Sequence, residues 1–310
     1  MPSGTGCKYD LLFITGPTAS GKTKLAANIA YKLKGEVISA DSRQVYRRMN
    51  LGTGKDYSEY LINNTRVPVH LIDIVDPGYK YNLFEYQRDF RKVYETLKDR
   101  SIFPVACGGS GMYIDSIITG YKMYEVPPDS GLRARLEKKS MEELTEILST
   151  FKTLHNITDI DTKKRLIRAI EIEHFNKSVR HKQSVFPALN SLIVGVMVDR
   201  EVRRKRISER LIRRLREGMV EEVKGLLEDG IRKEVLIYYG LEYKYITYYL
   251  NGQLDFNSMV KSLETAIHQF AKRQMTWFRG MERKGVKIHW IDSELPLDEK
   301  SDKVLELLKI

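Results

Sequence analysis

The sequence predicts an α/β protein with a P-loop NTPase-like, doubly wound parallel sheet and a helical insertion. Three observations predict it. Short apolar runs, the length of buried strands, alternate with helical stretches, as in βαβ units. The first run leads into Gly16-Pro17-Thr18-Ala19-Ser20-Gly21-Lys22-Thr23, a G-x-x-x-x-G-K-[ST] turn. Strand-like runs then stop between about residues 121 and 190, where polar helical sequence dominates, and resume afterwards.

Leu11-Leu12-Phe13-Ile14 is short enough for a buried strand, and Leu25, Ala26, Ile29, Ala30 and Leu33 after the turn have the spacing of one helix face. The motif therefore sits in the strand–turn–helix context that its chemistry needs. Backbone N–H groups of the turn, with the positive end of a helix behind them, surround a polyphosphate. Lys22 adds a point charge and Thr23 a hydroxyl for Mg²⁺. The residues expected to hold the diphosphate or nucleotide are thus Gly16, Pro17, Thr18, Ala19, Ser20, Gly21, Lys22 and Thr23.

Glu36 to Ala40 reads as a second strand ending at Asp41, which would face the ligand crevice beyond the strand's carboxyl end. Val67 to Val75 reads as a third strand, residues 82–99 as a helix, and Phe103 to Cys107 as a buried strand entering Gly108-Gly109-Ser110-Gly111. Residues 121–190 are expected to form the insertion, bounded by Pro127-Pro128 and a loop at Pro187, so that 1–120 and 191–310 make the core. Ser191 to Asp199 returns to a strand, 200–284 is mostly helical, and Val286 to Ile291 is a last strand. The tyrosine-rich stretch from Tyr238 to Tyr249 reads mainly as helix packing.

Composition narrows the function. Lys and Arg number 52 against 41 Asp and Glu, a net charge of +11, which favours a polyanionic partner, nucleic acid first. The two cysteines, Cys7 and Cys107, are far apart and in no ligand-like pattern, which argues against a disulfide framework or zinc site. No stretch has the roughly 20 apolar residues of a membrane span, and no signal peptide is apparent, so a cytoplasmic protein without a membrane partner is expected.

The densest positive charge lies in residues 200–220. At the helical period of about 100° per residue, Ile207, Leu211 and Leu215 form one stripe and Arg203, Arg206, Arg210 and Arg214 another. Such arginines repel one another unless anions compensate them, and their planar forks suit phosphate. Lys163-Lys164-Arg165 with Arg168 forms a second basic run. Lys272-Arg273-Gln274 before Trp277-Phe278-Arg279 interleaves cations with aromatics, as nucleic-acid surfaces do.

Taken together, the P-loop, Asp41-Ser42-Arg43-Gln44-Val45-Tyr46, Gly52-Thr53-Gly54-Lys55, His70-Leu71-Ile72-Asp73, Gly108 to Tyr113, Lys164 to Glu171, Gly218 to Val223 and Ala271 to Arg279 occur in an order that resembles the bacterial tRNA dimethylallyltransferases, or tRNA isopentenyltransferases, over nearly the whole chain. The P-loop is widely shared; its combination with Asp-Ser-x-Gln-x-Tyr and Ala-Lys-Arg-Gln-x-Thr-Trp-Phe-Arg is far more specific.

The resemblance implies transfer of a dimethylallyl group from dimethylallyl diphosphate to N6 of adenosine 37 in tRNA, with Mg²⁺. The P-loop then grips a diphosphate and does not serve ATP hydrolysis. It implies catalytic roles for Asp41, which accepts or orients the N6 proton, for Thr23 near diphosphate and metal, and for Arg210 on the diphosphate, with Arg206 as its alternative. It places Ser42, Arg43, Gln44, Val45 and Ser110 at the target adenosine, and Lys164, Arg165, Leu166, Ile167, Arg168, Lys272, Arg273 and Gln274 against the tRNA. The partner would be the anticodon stem-loop, with its base extruded and the insertion clamping one side, and the protein a monomer.

Three departures stand out: His268 where the family often has arginine, Ser110 where threonine is usual, and Asp129-Ser130-Gly131 in place of Asp-Pro. The zinc finger of eukaryotic relatives is missing. Other readings are transfer to free AMP or ATP, a P-loop small-molecule kinase, and a non-catalytic RNA-binding ATPase. The first leaves the 163–168 and 272–279 basic surfaces without purpose, and the kinase leaves the arginine helix unexplained.

Overall fold

The computed structural model describes residues 8–121, 123–153, 161–178 and 189–308. Its chain contacts divide it into two units, Met1–Tyr121 with Pro187–Ile310, and Lys122–Phe186. Cys7 and the Pro187 loop lie outside the described residues.

The larger unit opens with β1 (Leu11–Thr15), α1 (Lys22–Leu33) and β2 (Glu36–Ser39). A 3₁₀ turn (Tyr57–Tyr60) follows, then a small hairpin of β3 (Leu61–Ile62) and β4 (Thr65–Arg66), β5 (Val69–His70), α2 (Leu83–Asp99), β6 (Pro104–Gly108) and α3 (Gly111–Ile118). The second unit contributes α4 (Ser130–Leu136), α5 (Met141–Ser149) and α6 (Lys163–Ser178). The first unit resumes with β7 (Ser191–Met197), α7 (Arg200–Arg216), α8 (Met219–Glu228), α9 (Lys233–Tyr239), α10 (Leu241–Leu250), α11 (Phe256–Arg283), β8 (His289–Asp292) and α12 (Leu297–Leu308).

The six-stranded sheet has the order β5-β2-β6-β1-β7-β8, and every neighbouring pair is parallel. All five residues of β1 are buried, as expected of a strand covered on both faces. Alternation divides them. Leu12 and Ile14 join the core with Leu25, Ile29, Val304 and Leu308 of α1 and α12, while Phe13 stacks on Phe90 of α2, ring centroids 6.4 Å apart. The chain leaves β1 for β2 on one side and later returns to β7 on the other. Strand order thus reverses beside β1, where a doubly wound sheet opens its ligand crevice.

Helix ends follow local chemistry. Asn82 and Glu85 form a capping box at α2, and the Asp199 carboxylate accepts from the Glu201 N–H at 2.8 Å to start the arginine helix α7. The strand expected over 67–75 shrinks to Val69–His70. Leu71 and Asp73 adopt left-handed backbone (φ 61° and 55°), which breaks the pleat. Residues 73–75 instead donate to the carbonyls of Gln44 and Val45. They buttress the segment after β2.

In the smaller unit Leu132, Leu136, Leu144, Leu148, Leu166, Ile167 and Ile170 form a separate core. The carboxylate of Glu171 lies 2% exposed beside it and receives Arg133 Nε at 2.9 Å, Arg133 Nη2 at 2.7 Å, the Asp129 N–H at 2.6 Å and Arg168. Burial alone would raise its pKa, yet these donors hold it at about 2.

Candidate active site

A cavity of about 1060 Å³ lies at the crevice, lined by the P-loop, by Asp41 to Gln44, by Gly52 to Gly54, by the Gly108–Tyr113 turn, and by side chains of α7 and α11. Gly21 caps α1 in left-handed backbone (φ 80°), and Lys22 begins the helix, so the helix N-terminus opens onto the cavity. The Lys22 ammonium reaches back 3.2 Å to the Pro17 carbonyl. Burial lowers its pKa, and the charge of Asp41 is among those opposing that shift. The Ser20 hydroxyl is buried without a hydrogen-bond partner. Such orphans are uncommon, and this one lies in a turn shaped to surround an anion.

The second glycine turn is fastened to the first by α11. Gln274 Oε1 accepts from the Thr18 N–H at 2.9 Å, and its Nε2 donates to the Gly109 carbonyl at 2.9 Å. A Cβ on Gly109 would stand 2.5 Å from that Nε2, and one on Gly111 would stand 2.2 Å from the Trp277 ring, so side chains of α11 close in only because both positions lack one. Gln274 is buried and engaged at both ends. It fastens the pocket with its amide oxygen and one amide N–H, and it lines the cavity.

Asp41, just past β2, lines the cavity and accepts the Arg43 N–H at 2.9 Å through Oδ1. The Ser42 N–H donates to Ser110 Oγ at 3.0 Å, joining the ends of β2 and β6. Gln44 Nε2 donates to the Gly54 carbonyl at 3.1 Å, and Arg43 lies over the Tyr238 ring, 5.3 Å from its centroid. Val45 departs from expectation: it is 1% exposed and absent from the cavity wall. Its side chain alternates inward and only its carbonyl serves, receiving the N–H groups of Ile74 and Val75.

The wall opposite the P-loop is α7. Its arginine stripe divides by partner. Arg206 pairs with Glu294 at 2.6 Å, and buried Arg214 reaches both oxygens of Asp56 at 3.1 and 3.0 Å. Arg210 donates to the Thr18 hydroxyl of the P-loop and has no carboxylate at ion-pair distance among the described residues. Burial, then the neighbouring Arg214 charge, lowers its pKa to about 10, so it remains a cation at neutral pH and lacks an anion. Between Arg210 and Arg206, the structure leaves Arg210 facing the phosphate turn uncompensated.

Other residues were not legible as site residues. Glu222 of α8 accepts from the N–H groups of Asn50 (2.8 Å), Leu51 (2.8 Å) and Gly52 (3.1 Å) and from the Tyr243 hydroxyl (2.6 Å), which clamps the 50–54 wall. Lys55, its side chain fully buried, ties Asp73 to the Tyr46 carbonyl. Glu59 and Glu242 line the cavity with pKa values raised by burial. Glu222, Lys55 and Asp73 carried a signal only through the resemblance, in the Gly218–Val223, Gly52–Lys55 and His70–Asp73 runs.

In the smaller unit Lys164 and Arg165 are exposed on α6, whereas Leu166 (0% exposed) and Ile167 (3%) are core. Their expected RNA contact is therefore corrected: helical period turns them inward. Arg168 donates to Glu171 and, at 2.9 Å, to the Val126 carbonyl. It holds the unit together.

For a divalent metal, the chemistry at the P-loop is oxygen-based. Thr23 and Glu59 both line the cavity there. Among the described residues no cluster of three His, Cys, Asp or Glu forms a cage. A hard cation that keeps several waters and takes its remaining ligands from phosphate, as Mg²⁺ does, fits this donor set.

A family model described as IPP transferase matches residues 44–281, and one described as isopentenyl transferase matches residues 9–76. The chain is 60% identical to tRNA dimethylallyltransferase 2 of Bacteroides fragilis, over 97% of this chain and 98% of that one. It is 50% identical to tRNA dimethylallyltransferase 1 of Geotalea daltonii, over 92% and 91%. Among solved structures, the full-length tRNA isopentenylpyrophosphate transferase of Bacillus halodurans superposes with a TM-score of 0.70 at 29% identity, covering 97% of this chain and 95% of that one. A eukaryotic dimethylallyltransferase acting on tRNA shares the fold, with a TM-score of 0.75 at 20% identity, over 91% of this chain and 73% of that one.

Proposed function

The chain belongs to the IPP transferase family, and we propose that it transfers the dimethylallyl group of dimethylallyl diphosphate to N6 of adenosine 37, beside the anticodon of tRNA. It is a prenyltransferase that modifies tRNA; the acceptor atom, the residue roles and the metal are our reading of the cavity. One observation carries that reading. The phosphate turn with its uncompensated Arg210, and the Asp41–Ser110 edge, open into a single cavity.

The reaction forms a bond from N6 to C1 of the dimethylallyl group and breaks the C1–O bond, releasing diphosphate. Negative charge grows on the leaving oxygens. The N–H groups of the turn from Ala19 to Gly21, with Lys22 and Arg210, are donors beside that charge, which stabilise it without reorganising at the moment of reaction; the Thr18 N–H is held by Gln274. Burial around Lys22 and Arg210 strengthens their effect, because screening by water is reduced. An exocyclic amine is a weak nucleophile, and N6 must lose a proton as it becomes alkylated. Asp41 receives it on the oxygen that does not hold the Arg43 N–H. The backbone bond to Arg43 fixes the carboxylate for that transfer.

Mg²⁺, when held by the Thr23 hydroxyl and the diphosphate, supplies additional charge neutralisation on the leaving group. Ser110, fixed against Ser42, and Gln44, fixed against Gly54, border the place where an extruded adenine enters. In the larger unit Arg273 at the cavity supplies a cation suited to an anticodon stem-loop in the cytoplasm, and in the smaller unit the exposed Lys164 and Arg165 of α6 supply others.

The test uses labelled dimethylallyl diphosphate, Mg²⁺ and three acceptors: an anticodon stem-loop with adenosine 37, AMP, and ATP alone. Label on the stem-loop only is the expected result. Label on AMP would keep the prenyl chemistry and reject the acceptor. ATP consumption without label would reject the reaction.

A further inference from the structure

A second cavity, of about 470 Å³, lies between α7 and α11, lined by Arg200, Arg203 and Arg204 on one side and by Thr265, His268 and Lys272 on the other. None of these side chains lines the larger cavity, so its ligand is not the prenyl donor. Four fixed cations meet here, and among the described residues Arg203, Arg204 and Lys272 have no carboxylate at ion-pair distance. Arg200 has only the exposed Glu201 at 3.8 Å. The nearest acid on α11, Glu264, lies 3.8 Å from His268 Nε2 and already accepts from the Ser208 hydroxyl.

Arg203 is disfavoured as a cation first by burial and next by Arg200, with the Asp199 carboxylate at the start of α7 opposing the shift without cancelling it, so like charges are held together where an anion would relieve them. His268 Nδ1 is buried with no hydrogen-bond partner, a second sign of a polar group missing its complement.

We propose that this cavity binds a phosphodiester of the acceptor RNA backbone, at a site separate from the donor diphosphate; this rests on tRNA being the acceptor. Guanidinium forks in adjacent turns of one helix hold two oxygens of one phosphate from different sides. A backbone phosphate arrives already tethered by contacts elsewhere on the RNA, so a shallow site needs little affinity of its own. His268, neutral because burial and then Arg204 lower its pKa, leaves the grip to the arginines and Lys272.

The experiment measures the affinity of full-length protein for the anticodon stem-loop across a salt series, for the native chain, R203Q/R204Q and R203K/R204K. Each phosphate contact contributes about 0.7 to 0.9 to the slope of log affinity against log salt. We expect the glutamine pair to lower the slope by about one, the lysine pair to restore most of it, and affinity for dimethylallyl diphosphate to stay the same in all three. An unchanged slope in a glutamine variant that melts like the native chain would overturn the proposal. So would inorganic phosphate raising the melting temperature of the native chain but not of the variant while the RNA slope stays put, since the site would then take a small anion only. A native chain that prenylates AMP and leaves the stem-loop unlabelled would instead fail the reading of the acceptor, and this proposal with it.

Discussion

The Arg210 guanidinium donates to the Thr18 hydroxyl, joining a helix of the second half of the chain to the phosphate turn across 192 residues. Neighbouring Arg206 and Arg214 are neutralised by Glu294 and Asp56. Arg210 alone of the three is held ready for an external anion.

Arg210→Ala is therefore expected to lower kcat with dimethylallyl diphosphate by about 10²–10³-fold, the effect of removing one transition-state donor. Stem-loop affinity should change less than about twofold. Steady-state kinetics beside a binding isotherm decide it, and equal losses in both would remove Arg210 from the diphosphate.

Asp41→Asn keeps the shape and the hydrogen bond to the Arg43 N–H, but removes the basic carboxylate. Transfer to RNA should fall by about 10²–10⁴-fold, the usual worth of a positioned base, while RNA and diphosphate binding persist. Product formation in a single turnover, measured with binding, separates this from misfolding.

Gln274→Leu leaves the Thr18 N–H and the Gly109 carbonyl unpaired. The buried Gly109 carbonyl, at about 1–3 kcal/mol, sets the scale of destabilisation, and the half-buried Thr18 N–H adds less. Because the fastening spans both halves of the cavity, KM should rise for donor and RNA together. A rise for RNA alone would show that the amide reads the nucleic acid.

Lys164→Gln with Arg165→Gln should reduce the salt slope of stem-loop binding by about 1.5, near 0.7–0.9 for each phosphate lost. The melting profile should hold, since both side chains are exposed. An unaltered slope would place this face of α6 away from the RNA.

Glu171 sets the acid sensitivity of the smaller unit. Its folded pKa, about 2, lies below its ordinary value of 4.5. Its contribution is thus complete above about pH 4.5 and is lost as pH falls through the folded value. Thermal melts of the native chain should decline between about pH 4.5 and 2, and Glu171→Gln, already lowered at neutral pH, should show a flatter decline over that window.

Most of the sheet could be read from sequence because parallel strands buried on both faces are continuous apolar runs, and the phosphate turn has its own signature. The 67–75 run misled because apolar content does not register the left-handed backbone at Leu71 and Asp73. In the site, Asp41, Arg210 and the phosphate turn were found through local motif and family pattern. The inward turn of Val45, Leu166 and Ile167 shows where a motif read as a string of contacts fails, since alternate or helical neighbours face opposite ways. The purposes of Gln274 and Glu222 were hidden because their partners lie 165 and about 170 positions away, and side-chain-to-backbone bonds at that range leave no periodic trace.

The clamp that Glu222 places on residues 50–52 also has a bearing on the order of synthesis. A ribosome finishes the 50–54 wall long before it makes α8, and β1 must likewise await β7 on one side. During translation, at about 5–20 residues per second, the nascent chain thus carries the 50–54 wall without the carboxylate that clamps it. The cavity is therefore complete only once α8 and β7 have been made.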